Sequence, residues 1–277
     1  MPAADAHVHL FANSYAGSWG PLVGSELEVY EQLRVPFAIE RALVVGYEAE
    51  PRYSGNNEYI LELARTRPWI APLAYLEEQP PGVERLRQLR EAGAFGYSIY
   101  VREQAAARAI CGWPTDVLAE LNRQRSIISL NATPAATAAL APFIDAVEGA
   151  TVLFSHLGLP GRFARTPTPA EVAARLSPLL ALADRPHVNV KFSGLYAISD
   201  LAHDFPHLVA QPVLDTLLSA FGVGRLCWGS DFAPALEFVS FGQVADDRLL
   251  AGLGEADAGA VMGGNLQRLL PPPRDKG

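Results

Sequence analysis

The sequence predicts an α/β fold, a (β/α)8 or TIM barrel in a single domain, and three observations favour this fold class. Short β-branched or aromatic runs bounded by Gly, Pro or Asn recur eight times along the 277 residues, and each precedes a stretch with apolar residues at helical spacing. An open doubly wound sheet would usually place a glycine-rich phosphate-binding turn after its first strand, where this chain has histidines. No Pro/Gly/Ser-rich linker and no repeat divides the chain, which favours one domain.

Each predicted strand is one of these short runs, and a candidate helix follows each of them. In chain order the predicted strands are Ala3–Leu10, Ala42–Tyr47, Ile70–Leu76, Ala94–Val101, Ser126–Ala132, Thr151–Leu157, His187–Ser193 and Arg225–Phe232.

Several predicted helices carry start signals. Ser25 precedes the sequence ELEVYEQL, which supplies an acidic first turn, and Pro81 precedes GVERLRQLREAG, which ends in a glycine that stops a helix. Thr168 stands at an N-cap position, with Pro169 at the first helical position and Glu171 in the first turn.

Two connections are longer than plain turns. They are Phe11–Gly24 after the first strand and Gly158–Thr166 after the sixth. Loops that follow strands lie at the catalytic face of a (β/α)8 barrel, so we expect both loops to border the site. The barrel is predicted over residues 1–270, and residues 271–277, PPPRDKG, as a short disordered tail.

Composition narrows the class of partner. The chain has 30 acidic and 22 basic residues, a net charge of −8, and this charge repels nucleic acid and anionic membrane surfaces. The charge-free stretch 126–144 contains Asn131, Pro134 and Pro142, which favour strand, turn and helix over a membrane span. We therefore expect a small-molecule substrate, no nucleic acid and no membrane, and the sequence leaves a homo-oligomer open.

Two further features indicate the compartment. The N-terminal sequence MPAADAHVHLF lacks the basic and apolar segments of a secretory signal. The two cysteines, Cys111 and Cys227, make neither a disulfide framework nor a thiolate metal site. We expect a cytoplasmic protein.

The most informative motif is Asp5-Ala6-His7-Val8-His9 in the first strand. A strand alternates its faces, so Asp5, His7 and His9 are expected on one face, and Ala6 and Val8 against the helices. Two adjacent inward imidazoles in a core need hydrogen bonds or a metal ion. The alternative is a pair of satisfied structural histidines.

Asp231 and His156 end the eighth and sixth predicted strands, at the face where barrel chemistry occurs. A carboxylate there binds a metal or takes a proton from water, although Asp231 could also cap a helix. His156 stands before a Gly-Leu-Pro-Gly turn and is a candidate for substrate contact, its alternative being a structural histidine.

The remaining candidates are substrate-binding residues. Lys191 on the seventh strand could bind a carboxylate or pair with a buried acid, and Arg102 follows the fourth strand. Asn131 ends the fifth strand. Tyr97 is a candidate lining residue together with Tyr100, and whichever of the two points outward belongs to the core.

Four motifs in order resemble the amidohydrolase-2 family over almost the whole chain. They are Asp5/His7/His9, Ser155-His156-Leu157-Gly158, Trp228-Gly229-Ser230-Asp231 and Gly264-Asn265-Leu266-Gln267-Arg268-Leu269. The His-Leu-Gly-x-Pro turn at 156–160 and the strand Val190-Lys191-Phe192-Ser193-Gly194 are similar to the branch of lactone hydrolases that act on sugar lactones and 2-pyrone-4,6-dicarboxylate.

This resemblance implies a TIM barrel in which His7, His9 and Asp231 converge as metal ligands or polarising groups, with His156 as a further catalytic group. The fifth strand offers Asn131 where metal-dependent decarboxylases and deaminases of the superfamily have a histidine, and amide oxygen is a weak ligand for transition metals. The fourth strand lacks a bridging lysine or glutamate, which argues against a binuclear site. One divalent metal, zinc by preference, and a metal-free site both remain open.

The first hypothesis is a hydrolase that opens a lactone, with water activated by Asp231 and a carbonyl polarised by His7, His9 and His156. The second is a metal-dependent decarboxylase of an aromatic or unsaturated acid, which Asn131 weakens. The third is a non-catalytic ligand-binding barrel.

Overall fold

The computed structural model of the chain describes residues 4–270, and the sheet within them is the predicted barrel. In this eight-stranded sheet all neighbouring strands are parallel, and their order around the sheet is their order along the chain. A separate two-stranded antiparallel sheet pairs Ala16–Gly17 with Gly20–Pro21. Ala3 and the predicted tail 271–277 lie outside the described residues. The eight barrel strands are β1 Ala4–Val8, β2 Arg41–Val45, β3 Ile70–Leu76, β4 Gly96–Val101, β5 Ile127–Ala132, β6 Thr151–Phe154, β7 Val188–Phe192 and β8 Leu226–Trp228.

The segment after β8 closes the barrel against β1. Val8 and Phe232 form a parallel bridge, and the backbone amide of Asp231 donates to the carbonyl oxygen of His7 at 2.8 Å. The first and last strands therefore meet where the sequence places its histidines and its aspartate.

The helices lie between the strands. The α-helices are α1 Glu26–Arg34, α2 Asn56–Thr66, α3 Val83–Glu91, α4 Gln104–Cys111, α5 Thr115–Arg123, α6 Pro134–Ala139, α7 Ala141–Ala146, α8 Pro169–Leu180, α9 Leu195–Ile198, α10 Gln211–Phe221, α11 Phe241–Val244, α12 Glu255–Gly259 and α13 Asn265–Leu269. Short 3₁₀ turns cover Pro51–Tyr53, His156–Gly158, Leu208–Ala210, Val223–Arg225, Pro234–Glu237 and Arg248–Leu250, and a π-helical segment covers Ala260–Gly264.

The predicted helix starts are confirmed. The Ser25 hydroxyl accepts from the amide of Glu28 at 3.4 Å, and Thr168 and Glu171 form a reciprocal capping box at the start of α8. Helix α3 begins two residues after Pro81. The stretch 126–144 contains β5, α6 and most of α7, and across residues 4–270 no helix is long and apolar enough to cross a bilayer.

Two clusters of buried apolar side chains form the core. The larger packs the outer face of the strands against the helices, and the smaller fills the barrel toward the amino ends of the strands. Leu266 of α13 belongs to the smaller cluster, and Asn265 donates to the carbonyl oxygens of Val223 and Leu226 at 2.7 Å and 2.6 Å. The Gly264–Leu269 motif therefore seals the end of the barrel.

Strand β1 does not alternate its faces as predicted. Between its paired positions it carries one residue more than β2, and this bulge shifts the register. Ala6 packs in the barrel-interior cluster, whereas Asp5 accepts a hydrogen bond from the Tyr30 hydroxyl of α1 at 3.0 Å. The expectation that Asp5 shares a face with His7 and His9 is wrong, because the bulge separates them.

Candidate active site

Three side chains from opposite ends of the sequence converge at the carboxyl ends of β1 and β8. Nε2 of His7 lies 3.0 Å from Nε2 of His9, and Asp231 Oδ1 lies 3.5 Å and 3.9 Å from these two nitrogens. All three side chains are buried. The structure thus brings together the residues predicted as metal ligands, at the face that carries the chemistry in such barrels.

His156 and Tyr196 surround the second oxygen of Asp231. The Tyr196 hydroxyl on α9 donates to Oδ2 at 2.6 Å, and His156 Nδ1 lies 3.8 Å from the same oxygen. Ser193 Oγ lies 3.1 Å from His156 Nδ1. The carboxylate caps no helix, since the turn that follows it has Ala233 at its N-cap and no side-chain cap.

Local backbone geometry leaves room for the imidazoles. His156 and Asp231 have φ values of 53° and 56°, in the left-handed region, so both side chains leave their strands at a sharp turn. A Cβ on Gly194 would lie 2.4 Å from His156 Nδ1, and a Cβ on Gly229 would lie 2.9 Å from the Cβ of His7. Glycine at these two positions is a steric requirement of the site.

Burial sets the charges of the site. It raises the pKa of Asp231 to about 6, although His9, the Tyr196 hydroxyl and Lys191 favour the carboxylate. Burial lowers the pKa of His9 to about 4 and that of His156 to about 3. At pH 7 the site therefore holds an ionised carboxylate beside neutral imidazoles, which is the charge state of a general base beside hydrogen-bond donors.

Lys191 lies below this group and does not line the cavity. Its side chain is fully buried, with Nζ 3.1 Å from Nδ1 of His7 and donating to Ser129 Oγ at 2.6 Å. Burial lowers the pKa of Lys191 to about 7. The predicted substrate contact is therefore corrected to a contact with His7, because β7 aims this side chain into the closed interior.

The donor set of His7, His9 and Asp231 fits one divalent metal. Their ligand atoms all lie within 4.8 Å of one another, and two imidazoles with one carboxylate make a common catalytic zinc set with an open position. Nδ1 of His9 lies 2.8 Å from the carbonyl oxygen of Val45, which is how a metal-binding imidazole is usually oriented. Nδ1 of His7 faces an amine instead, so its orientation suits a hydrogen-bonded pair of histidines equally well.

An open cavity of about 240 Å³ lies above the group, and a volume of this size suits a small ligand. Its wall includes six aromatic residues, which are Phe11, Tyr15, Tyr47, Tyr53, Tyr100 and Tyr196. Its polar lining includes His9, Glu50, Arg102, Asn131, His156 and Asp231.

The candidate substrate-binding residues separate into two groups. Arg102 and Asn131 line the cavity. The interpretation of Tyr97 as a lining residue is wrong, because its hydroxyl donates to the carbonyl oxygen of Leu86 and lies 2.7 Å from Gln124 Oε1, in the helix layer. Tyr100 lines the cavity in its place, three residues further along the same strand and so on the opposite face.

The residues that sequence reasoning missed include two of the site and, on the cavity wall, Glu50. Tyr196 lies on a four-residue helix, and Ser193 precedes it in the loop after β7. Glu50 lies in the loop between β2 and α2, just before a 3₁₀ turn. The sequence signal for Tyr196, Ser193 and Glu50 was their position in a segment that follows a strand. Many residues share this position, so it did not single them out.

A sequence profile of the amidohydrolase family matches residues 4–271, and the chain belongs to this family. It is an enzyme of the hydrolase type. It is 27% identical to the L-fucono-1,5-lactonase of Burkholderia multivorans, over 98% of this chain and 97% of the relative. The resemblance to the lactonase branch is thereby confirmed.

Two solved structures share the fold. An amidohydrolase from Burkholderia multivorans with bound zinc is 22% identical over 98% of this chain and all of its own, with a TM-score of 0.73. A protein described as a 2-pyrone-4,6-dicarboxylic acid hydrolase from Pseudomonas putida is 21% identical over 97% of both chains, with a TM-score of 0.71. At these identities the likeness establishes the barrel and its arrangement.

Proposed function

We propose that this enzyme opens a lactone or a similar cyclic ester by attack of water. The observation that carries the proposal is the buried Asp231 carboxylate, enclosed by His7, His9, His156 and Tyr196 at the floor of an open cavity. The curated relative, a lactonase matched over nearly the full length of both chains, supports the same reaction.

Asp231 is the general base of the proposed reaction. Its carboxylate takes a proton from a water molecule as the water oxygen forms a bond to the lactone carbonyl carbon. The neutral imidazole of His156 donates a hydrogen bond to the carbonyl oxygen as negative charge develops there. Tyr196 keeps Oδ2 of Asp231 in place, which leaves Oδ1 facing His7 and His9.

Collapse of the tetrahedral intermediate breaks the bond between the carbonyl carbon and the ring oxygen. The proton held by Asp231 passes to this leaving oxygen, so the carboxylate is regenerated and the product is a hydroxy acid. His7 does not line the cavity and acts through its neighbours, since its Nε2 lies 3.0 Å from Nε2 of His9 and 3.5 Å from Oδ1 of Asp231.

We propose His7, His9 and Asp231 as the residues that hold a divalent metal when one is bound. Zinc at this position would supply Lewis-acid polarisation of the carbonyl. The hydrogen bond between the two imidazoles, and the one from His9 to Val45, also hold the rings in place by themselves.

The substitution Asp231→Asn tests the proposal. Loss of the general base is expected to lower kcat for lactone hydrolysis by about 10²-fold or more, with the circular dichroism spectrum unchanged. The matched control is Asp145→Asn, which alters a surface carboxylate paired with Arg185 and is expected to keep full activity. Wild-type turnover by the Asp231→Asn variant would remove Asp231 from the mechanism.

Product analysis separates this reaction from the alternatives. A lactonase releases a hydroxy acid and a proton, whereas a decarboxylase releases carbon dioxide. A ligand-binding barrel would return the lactone unchanged after long incubation.

A further inference from the structure

The cavity wall offers apolar ring faces and hydroxyl groups together. Tyr47 packs against Tyr100 and Tyr53, with ring centroids 4.8 Å and 5.7 Å apart, and Tyr53 stacks on Phe11 at 4.1 Å. A tyrosine presents an apolar face and a polar tip, so this wall suits a ring that is itself apolar on its faces and hydroxylated at its edge.

The fixed charges of the wall are few and nearly balanced. Among the lining residues that the structure describes, Glu50 and Asp231 are carboxylates and Arg102 is the one guanidinium. Away from the His7, His9 and Asp231 group, the charged residues of this wall are Glu50 and Arg102, so a substrate carboxylate placed beside Glu50 would meet a like charge.

Glu50 holds a central position in this balance. Its Oε1 accepts a hydrogen bond from the Tyr47 hydroxyl at 3.3 Å, and its Oε2 lies 3.1 Å from Nε of Arg52. A carboxylate has about four acceptor positions, so Glu50 retains capacity for a hydroxyl of a bound molecule.

We propose that Glu50 is a specificity-determining residue that selects uncharged, hydroxylated lactones against lactones that bear a carboxylate. The inference rests on the proposed lactonase function and names its substrate class. Glu50 accepts a ring hydroxyl of the uncharged lactone and repels a carboxylate.

The test compares the wild type with Glu50→Gln and with Glu62→Gln, a matched control on the outer helix α2 whose carboxylate is also paired with a nearby arginine. The probes are an aldono-1,5-lactone and a lactone of the same ring that carries a free carboxylate. kcat/KM is measured for each. Binding of the two corresponding lactams, which do not hydrolyse, is measured by calorimetry.

We expect the wild type and Glu62→Gln to prefer the uncharged lactone, and Glu50→Gln to shift the ratio of kcat/KM values toward the carboxylate-bearing lactone by about tenfold or more. The lactam affinities should shift in the same direction. A ratio that stays unchanged in Glu50→Gln, or a wild-type preference for the anionic probe, overturns the inference while lactone hydrolysis stands.

The two proposals fail separately. Without hydrolysis of either lactone, the proposed function fails, and the lactam affinities alone then decide the role of Glu50. A Glu50-dependent preference for the uncharged lactam supports charge selection, and equal affinities overturn it.

Discussion

At the scale of single residues, the proposed chemistry depends most closely on the hydrogen bond between Tyr196 and Asp231. The hydroxyl donates to Oδ2 at 2.6 Å, and this bond favours the ionised carboxylate. Burial alone would raise the pKa of Asp231 further above its usual range. Tyr196 is therefore a positioning residue that also keeps the base ionised at neutral pH.

The substitution Tyr196→Phe is expected to lower kcat about tenfold and to move the acid limb of the pH profile upward. In the wild type, activity should rise with pH as Asp231 loses its proton near its pKa of about 6. Removing the donor destabilises the carboxylate, so its pKa rises and more alkaline solution is needed for the same activity. The measurement is kcat and kcat/KM from pH 4.5 to 8.5, with Tyr59→Phe on α2 as the control. A limb that stays at the wild-type pH would indicate a structural role only.

The site residues could be predicted from sequence to different extents. His7, His9, His156 and Asp231 stand in short motifs at the ends of predicted strands, which a barrel brings to one face, and the family resemblance implied that they converge. The sequence did not show whether Tyr97 or Tyr100 faces the cavity. Successive side chains of a strand point to opposite faces, and which face is the inner one depends on the register of the strand in the sheet.

The loop between β1 and α1 is the element that shapes one wall of the cavity. Glu26 at the first position of α1 is buried, and its carboxylate accepts from the backbone amides of Phe11, at 2.6 Å, and Tyr15. Phe11 and Tyr15 both line the cavity. Ser18 in the same loop donates through its amide to Glu237, which ties the loop to the turn after β8.

The substitution Glu26→Gln is expected to destabilise the protein in a pH-dependent manner. Burial raises the pKa of Glu26 to about 7 from 4.5, so its ionisation opposes folding, and its contribution to the free energy of unfolding falls as pH rises from about 4.5 to 7. Glutamine keeps one acceptor oxygen and does not titrate. The stability gap between wild type and variant should therefore be largest near pH 5 and narrow toward pH 8.

Urea unfolding at pH 5, 6.5 and 8 measures this gap, with the exposed Glu28→Gln of the same helix as the control. A stability gap that is constant across these pH values would show that the pKa of Glu26 is the same in the folded and unfolded states. The variant should also raise KM, since Phe11 and Tyr15 lose their anchor.

At the scale of the whole molecule, Asp5 joins three parts of the barrel. Its Oδ1 accepts from the amides of Ser230 at 2.8 Å and His7 at 3.0 Å, and its Oδ2 accepts from the hydroxyl of Tyr30 on α1. One buried carboxylate thus links the segment after β8, the first strand and the first helix. These bonds close the barrel, whereas the sequence pattern predicted that Asp5 shares the inner face with His7 and His9.

The substitution Asp5→Ala is expected to lower the free energy of unfolding by about 3 kcal/mol, because it leaves buried amides and a hydroxyl without an acceptor. Asp145→Ala breaks only an exposed pair with Arg185 and should cost less than about 1 kcal/mol. Urea denaturation of both variants makes the comparison. Equal losses would show that Asp5 does not hold the barrel closed.

The fold itself could be predicted because eight strand-then-helix units leave few topologies for one domain. Strand bounds agree with the predicted runs to within a few residues, since apolar runs and turn residues are local signals. The bulge in β1 could not be predicted, because register depends on the partner strand. It decides which of Asp5, Ala6 and His7 enters the barrel.

The most direct test of the central claim is hydrolysis of an aldono-1,5-lactone in ¹⁸O-labelled water, followed by mass spectrometry of the product. Attack of water on the carbonyl carbon predicts one ¹⁸O in the carboxylate of the hydroxy acid, formed by the wild type far faster than by Asp231→Asn. Both are measured with and without added zinc. No turnover above the Asp231→Asn baseline for a panel of lactones, or release of carbon dioxide from carboxylic acid substrates, would contradict it.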